Sequence, residues 1–76
     1  MASWSETIVI DPEIQGGAPV VRGTRVPVSV LVEAVAAGDT VDEAASAYRV
    51  TVDQVRAALG YAAELVRGER TIALPR

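Results

Sequence analysis

Eighteen residues, Asp11 to Val28, hold three glycines (Gly16, Gly17, Gly23) and three prolines (Pro12, Pro19, Pro27), and the remainder of the chain turns abruptly alanine-rich. Glycine admits positive φ and proline deletes a backbone donor, so this band excludes both a long helix and an uninterrupted sheet. It dictates short extended pieces joined by tight turns. Placed ahead of a helix-patterned stretch, it predicts a small β-hairpin docked onto a helical body.

The pieces can be placed from their residues. Thr7 to Ile10 is β-branched and bounded by Asp11-Pro12, which predicts a strand ending in a turn. Gly16-Gly17 makes a loop. Pro19-Val20-Val21, Arg22-Gly23 and Thr24-Arg25-Val26 predict a hairpin with glycine supplying positive φ at its turn. Pro27 closes the sheet portion, because it cannot donate a ladder hydrogen bond.

Val28 to Ala37 predicts a first helix. Val28, Leu31, Val32 and Val35 recur at three- and four-residue spacing, with Ser29 and Glu33 off that face. Gly38 ends it in a left-handed cap. Thr40-Val41-Asp42-Glu43 is a capping box that opens a second helix through Tyr48. Thr51-Val52-Asp53-Gln54 repeats the device and opens a third helix, running to Arg67 with Gly68 as its stop. The organisation is a single domain: strand and hairpin over 7–27, a three-helix core over 28–67, and a C-terminal tail over 68–76. The fold class is mainly α with a short N-terminal β-hairpin, a winged-helix-like helix-turn-helix domain.

The Gly23-Thr24-Arg25-Val26-Pro27-Val28 pattern, with the glycine- and proline-rich run before it, closely resembles a small bacterial family, domain of unknown function 433. The resemblance extends from Ile8 to Leu65. It implies an antitoxin encoded beside a toxin, a PIN-like ribonuclease, which the antitoxin binds and neutralises.

Within 76 residues a core is marginal, since a chain this short buries only about 60% of its unfolded surface, and oligomerisation is a common remedy. With no Phe, one Trp and two Tyr, that core must be Val, Ala, Leu and Ile. No cysteine or histidine is present, which removes disulfides, thiolate sites, and the commonest general base and metal ligand. No cofactor or metal site is expected. Ser29 and Ser46 are candidate nucleophiles with no His or Lys to activate them. Gly16-Gly17 is not followed by the Lys-Ser/Thr of a phosphate loop. A non-enzymatic protein is expected. No apolar run approaches the ~20 residues of a membrane span, and the N-terminus has no basic segment, so a cytoplasmic protein is expected.

The net charge is −3, and all seven cations are arginine. That balance disfavours loose nucleic-acid binding, which needs net cations, yet leaves room for a local basic patch. In the helix-turn-helix reading Ala45 is the small residue of the first helix, Val50 the apolar turn residue and Val55 the pin of the second. Arg49 stands where the turn glycine is expected. Thr51, Gln54 and Arg56 lie on the exposed first turns of the third helix. Arg56 suits guanine and Gln54 adenine, while Asp53 repels phosphate. Arg22 and Arg25 flank the hairpin turn, where they either touch phosphates or, as for Arg25, brace the hairpin against an acidic residue. Arg49 and Arg56 equally suit pairing with nearby carboxylates on a solvated face.

The third helix carries two stripes. Val52, Val55, Leu59, Ala62 and Val66 share a core face, and Ala58, Tyr61 and Leu65 lie beside it. The second stripe is a candidate partner surface, for toxin or a twin subunit, unless the N-terminal strands cover it. The tail adds Arg67, Arg70 and Arg76, with Ile72 and Leu74 alternating as in a segment that docks extended. Arginines there suit a nuclease's carboxylate cluster. A frayed terminus is the alternative. The antitoxin, a homodimer contacting operator DNA, is the leading expectation. A stand-alone regulator and a non-DNA dimerisation module are its rivals.

Overall fold

The computed structural model describes residues 4–69. A 3-10 turn at Trp4–Glu6 leads into strand β1 (Ile8–Ile10). After a loop, β2 (Pro19–Val21) returns antiparallel, pairing Ile8 with Val21, Val9 with Val20 and Ile10 with Pro19. Three helices follow: α1 (Val28–Ala36), α2 (Val41–Tyr48) and α3 (Val52–Glu69). The helices pack against one another, β2 sits on α1, and β1 and the N-terminal turn sit on α3.

The loop between the strands is shaped by its turn residues. The Asp11 side chain accepts from the Glu13 backbone N–H at 2.9 Å, an Asx turn. Gln15, Gly16 and Gly17 then take positive φ in succession, at 52°, 65° and 90°. Gln15 is not a glycine, and its side-chain amide donates to the Arg25 carbonyl at 3.0 Å, tying this loop to the next one.

The expected hairpin is present with different arms. Its strands are β1 and β2, whereas Thr24–Val26 forms no strand. From that segment onward only an isolated bridge, Val20 to Pro27, continues the ladder. Gly23 holds φ 82° as anticipated, and Thr24 N–H donates to the Val21 carbonyl at 3.0 Å. That is a type II-like turn needing glycine at its third position. The Thr24 hydroxyl donates to the Val21 carbonyl and accepts from the Val26 N–H. These local bonds use up the groups a strand would offer, which is why the segment stays a loop. The Gly-Thr-Arg-x-Pro-Val pattern is thus largely a turn-building sequence.

The core consists of Ile8, Val20, Val21, Val28, Leu31, Ala44, Ala45, Val55 and Ala58, with no buried polar residue among those described. Leu31 is the largest of its fully buried side chains. On α1, Val28 and Leu31 are buried and Val32 and Val35 half-buried, while Ser29 and Glu33 face solvent. Gly38, at φ 118°, ends α1, and the Asp39 N–H reaches back to the Ala34 carbonyl at 3.0 Å. This is the six-to-one bond of a Schellman cap.

Two features of α3 depart from expectation. Gly68 does not stop it, because the helix runs on to Glu69. Val66, expected on the core face, is 66% exposed. At 18 residues α3 is twice as long as the nine-residue α1, and from Ala63 to Gly68 every residue is exposed. Mid-helix, Gly60 faces Trp4, whose ring meets Tyr61 edge-on with centroids 4.8 Å apart. A Cβ at Gly60 would lie 3.6 Å from Trp4 Cδ1, an ordinary contact. Gly60→Ala should therefore stabilise the domain by about 1 kcal/mol, the helix penalty of glycine. Thermal melts should show a rise of ~4–8 °C. A lowered melting temperature would mean that Trp4 cannot accommodate the methyl.

Candidate functional site

The helix-turn-helix is built by its caps. The Thr40 hydroxyl accepts from the Glu43 N–H at 3.0 Å, and the Glu43 carboxylate accepts from the Thr40 N–H at 2.8 Å. Thr51 and Gln54 repeat the same two bonds at 3.0 and 2.8 Å. Between the boxes, Arg49 takes the left-handed conformation (φ 60°, ψ 42°), and the Val50 N–H donates to the Ala45 carbonyl at 3.0 Å. The sequence anticipated a turn here without its glycine, and the structure shows an arginine filling that place. Ala45 and Val55 are buried at the crossing of α2 and α3, as the motif requires.

An L-residue in this conformation costs about 1 kcal/mol relative to glycine. Arg49→Gly should raise the melting temperature by several degrees at the size of this domain. An unchanged or lower value would mean that the arginine side chain stabilises the turn by more than the strain.

The DNA-directed candidates fall into two groups on different elements. Arg49, Thr51 and Arg56 are exposed on the turn and the start of α3, and Gln54 is half-buried with its amide oxygen committed to the cap. Arg49 and Arg56 make no ion pair among the described residues, where the only pair is Arg67 with Glu64 at 2.9 Å. The carboxylate pairing considered for them is not formed. Asp42, Glu43 and Asp53 stand exposed on the same two helices.

Arg22 and Arg25 sit at the hairpin turn. Bracing falls to Arg22: its Nε–H donates to the Glu6 carbonyl at 2.8 Å and fastens the N-terminal turn. The acceptor is backbone and not a carboxylate. The guanidinium of Arg25 has no partner among the described residues, so it faces solvent from a loop held through its own carbonyl.

The expected partner stripe on α3 divides. Ala58 is fully buried and cannot touch a partner. Tyr61 is half-buried, covered on one side by Trp4, a packing role that a lone N-terminal tryptophan did not reveal in the sequence. Leu65 is 50% exposed. Arg67 is exposed and bonded to Glu64. Arg70, Ile72, Leu74 and Arg76 lie outside the described residues.

What the structure leaves open is an apolar cleft of about 420 Å³, between α3 and the α1–β2 corner. Pro19, Val28, Val32, Tyr61, Ala62 and Leu65 line it, with Ser29 and Glu33 at its polar edge. A second, shallower depression lies across Val32 and Ala62, bounded by Leu59, Ala63, Val66 and Arg67. Among the described residues no group of acidic side chains is placed to hold a metal ion. No described helix is long and apolar enough to cross a membrane.

Comparison with known proteins places this arrangement. The family model "Protein of unknown function (DUF433)" matches residues 8–62. The chain is 40% identical over 74 residues to the uncharacterised protein y4eO of Sinorhizobium fredii, covering 95% of this chain and 34% of that protein. It resembles the crystal structure of Rv2018 from Mycobacterium tuberculosis with a TM-score of 0.67 and 36% identity, over 75% of this chain and 27% of that one. A DUF433 member from Anabaena variabilis matches with a TM-score of 0.73 and 31% identity, over 90% of this chain and 69% of that one. The chain therefore spans about a third of y4eO and about a quarter of Rv2018.

Proposed function

This chain belongs to the DUF433 family, and from that premise we propose that it is the antitoxin of a type II toxin–antitoxin pair, a cytoplasmic binding protein and not an enzyme. It binds a cognate PIN-like ribonuclease and blocks it by occlusion, and as a dimer it contacts operator DNA through its helix-turn-helix. The observation that carries the reading is the coexistence of two unlike surfaces on one small domain. At one end of α3 stand Arg49, Thr51 and Arg56, exposed and with the arginines free of ion pairs among the described residues, available to touch DNA although Asp42, Glu43 and Asp53 beside them make this a poor footprint for tight unassisted binding. Toward the other end lies exposed apolar surface at Leu65 and Val66, suited to protein. An antitoxin that also regulates its own operon needs both.

The acidic net charge fits this division of labour. With a charge of −3, tight unassisted DNA binding is not favoured, so the operator complex should tighten when the toxin joins. A stand-alone regulator is the second reading, favoured by the doubly capped turn itself. A gel shift with and without the adjacent gene product separates them. Under the antitoxin reading the partner sharpens the shift and the partner's RNase activity is lost in the complex. Under the regulator reading this protein shifts the operator alone and leaves the RNase untouched.

A further inference from the structure

The apolar cleft between α3 and the α1–β2 corner has a lining of one kind and an edge of another. Pro19, Val28, Val32, Tyr61 and Ala62 form the lining, and Leu65 stands at its rim. Ser29 and Glu33, about one turn apart on α1, supply the polar edge. Glu33 is exposed and makes no ion pair among the described residues. The occupant that fits is apolar, with a cation beside its apolar part.

The chain itself carries such a segment. Past α3 the sequence reads Arg70-Thr71-Ile72-Ala73-Leu74-Pro75-Arg76, outside the described residues. A proline at 75 disfavours helical backbone at 74. In an extended segment Ile72, Leu74 and Arg76 fall on one side, and Thr71, Ala73 and Pro75 on the other.

We propose that residues 70–76 fold back along α3 and seat Ile72 and Leu74 in the cleft of their own chain. The reach is sufficient. Leu65 lies four residues before Glu69, about 6 Å along the helix, and Ala62 and Tyr61 lie about 10–12 Å before it. After a reversal over Arg70 and Thr71, Ile72 comes level with Leu65. Leu74, about 7 Å further on, then comes level with Ala62 and Tyr61. Val32 and Ala62 border both the cleft and the shallower depression beside it, so these two residues face each other across the groove. Glu33 is the next residue of α1. Arg76, about 7 Å past Leu74 on the same side of the segment, meets that carboxylate at the open edge.

Val66 lies outside the cleft and stays bare, as do Arg49 and Arg56 toward the other end of α3. The tail thus belongs to the domain's own packing and not to the carboxylate cluster of a nuclease. The inference concerns one free chain and does not depend on the proposed function.

The sequence contains no cysteine, so an introduced pair reports without interference. Ser29→Cys with Leu74→Cys, oxidised in a glutathione buffer, should close a disulfide within one chain at least about tenfold faster than Ala47→Cys with Leu74→Cys. Ala47 is exposed on α2 and lines no part of the cleft. Adding Ile72→Asp should bring the two rates together, and adding Glu33→Arg should slow the first several-fold. Equal rates for the two pairs overturn the proposal. So does a disulfide found only between chains, which would give the cleft to a second copy. Amide hydrogen exchange reads the wild-type chain independently. The amides of Ile72 to Leu74 should exchange at least about tenfold more slowly than in a free peptide of residues 69–76. Exchange at the free-peptide rate overturns the proposal even where the cysteine variants fail to fold.

Discussion

Leu31→Ala is expected to leave the domain largely unfolded at physiological temperature. Leu31 is fully buried, and it is the largest fully buried side chain, in a core otherwise made of Val, Ile and Ala. It sits on α1, the element that contacts α2, α3 and β2 together. Truncating a buried leucine costs about 2–5 kcal/mol, because a cavity remains where the side chain was. A domain of this length has a total stability on the order of 4–11 kcal/mol. The loss is therefore a large share of the whole, and no disulfide is available to offset it. Thermal or urea melts should show it, with Ser29→Ala, exposed on the same helix, changing stability by no more than ~0.5 kcal/mol. A Leu31→Ala loss under about 1 kcal/mol would mean that α1 is not the keystone of the packing.

Arg56→Ala is expected to weaken specific operator binding by about 5- to 100-fold, the worth of one bidentate base contact, and to relax sequence preference at one position. The side chain is exposed on the second turn of α3 and makes no ion pair among the described residues, so its removal should leave the melting temperature unchanged. Arg22→Ala should behave differently. Its Nε–H holds the Glu6 carbonyl, so stability should fall along with any uniform loss of affinity. A gel shift over a salt series reads both. Equal binding by wild type and Arg56→Ala at every salt concentration would remove the base-reading role from α3.

The helices were legible because their ends are written locally. Two Thr-x-x-Glu/Gln boxes predicted the starts of α2 and α3, and the hydroxyl and carboxamide or carboxylate bonds are those found. The capping glycine at 38 was equally plain. The hairpin was half legible. The turn at Gly23 could be read, but the strand partner could not, because β1 and β2 pair across a loop whose own turns carry no signal of register. Trp4 escaped for a related reason: a single aromatic in a non-periodic segment says nothing about which helix it will meet. The division of α3 into stripes failed at Ala58 and Val66 because a helical wheel gives direction without depth. Ala58 is fully buried whereas Val66, two turns further on, is 66% exposed. Of the candidate site, the turn arginines and Thr51 stood where expected, whereas the apolar cleft depends on how α1, α3 and β2 meet, which no local pattern encodes.

Neutralisation of a nuclease can be read from one titration. The product of the adjacent gene is purified alone, its cleavage of RNA is measured, and this protein is added in increasing amounts. A stable complex should co-purify, with cleavage suppressed once the two are near stoichiometric. Cleavage that continues undiminished in excess protein, with no complex recovered, would contradict it.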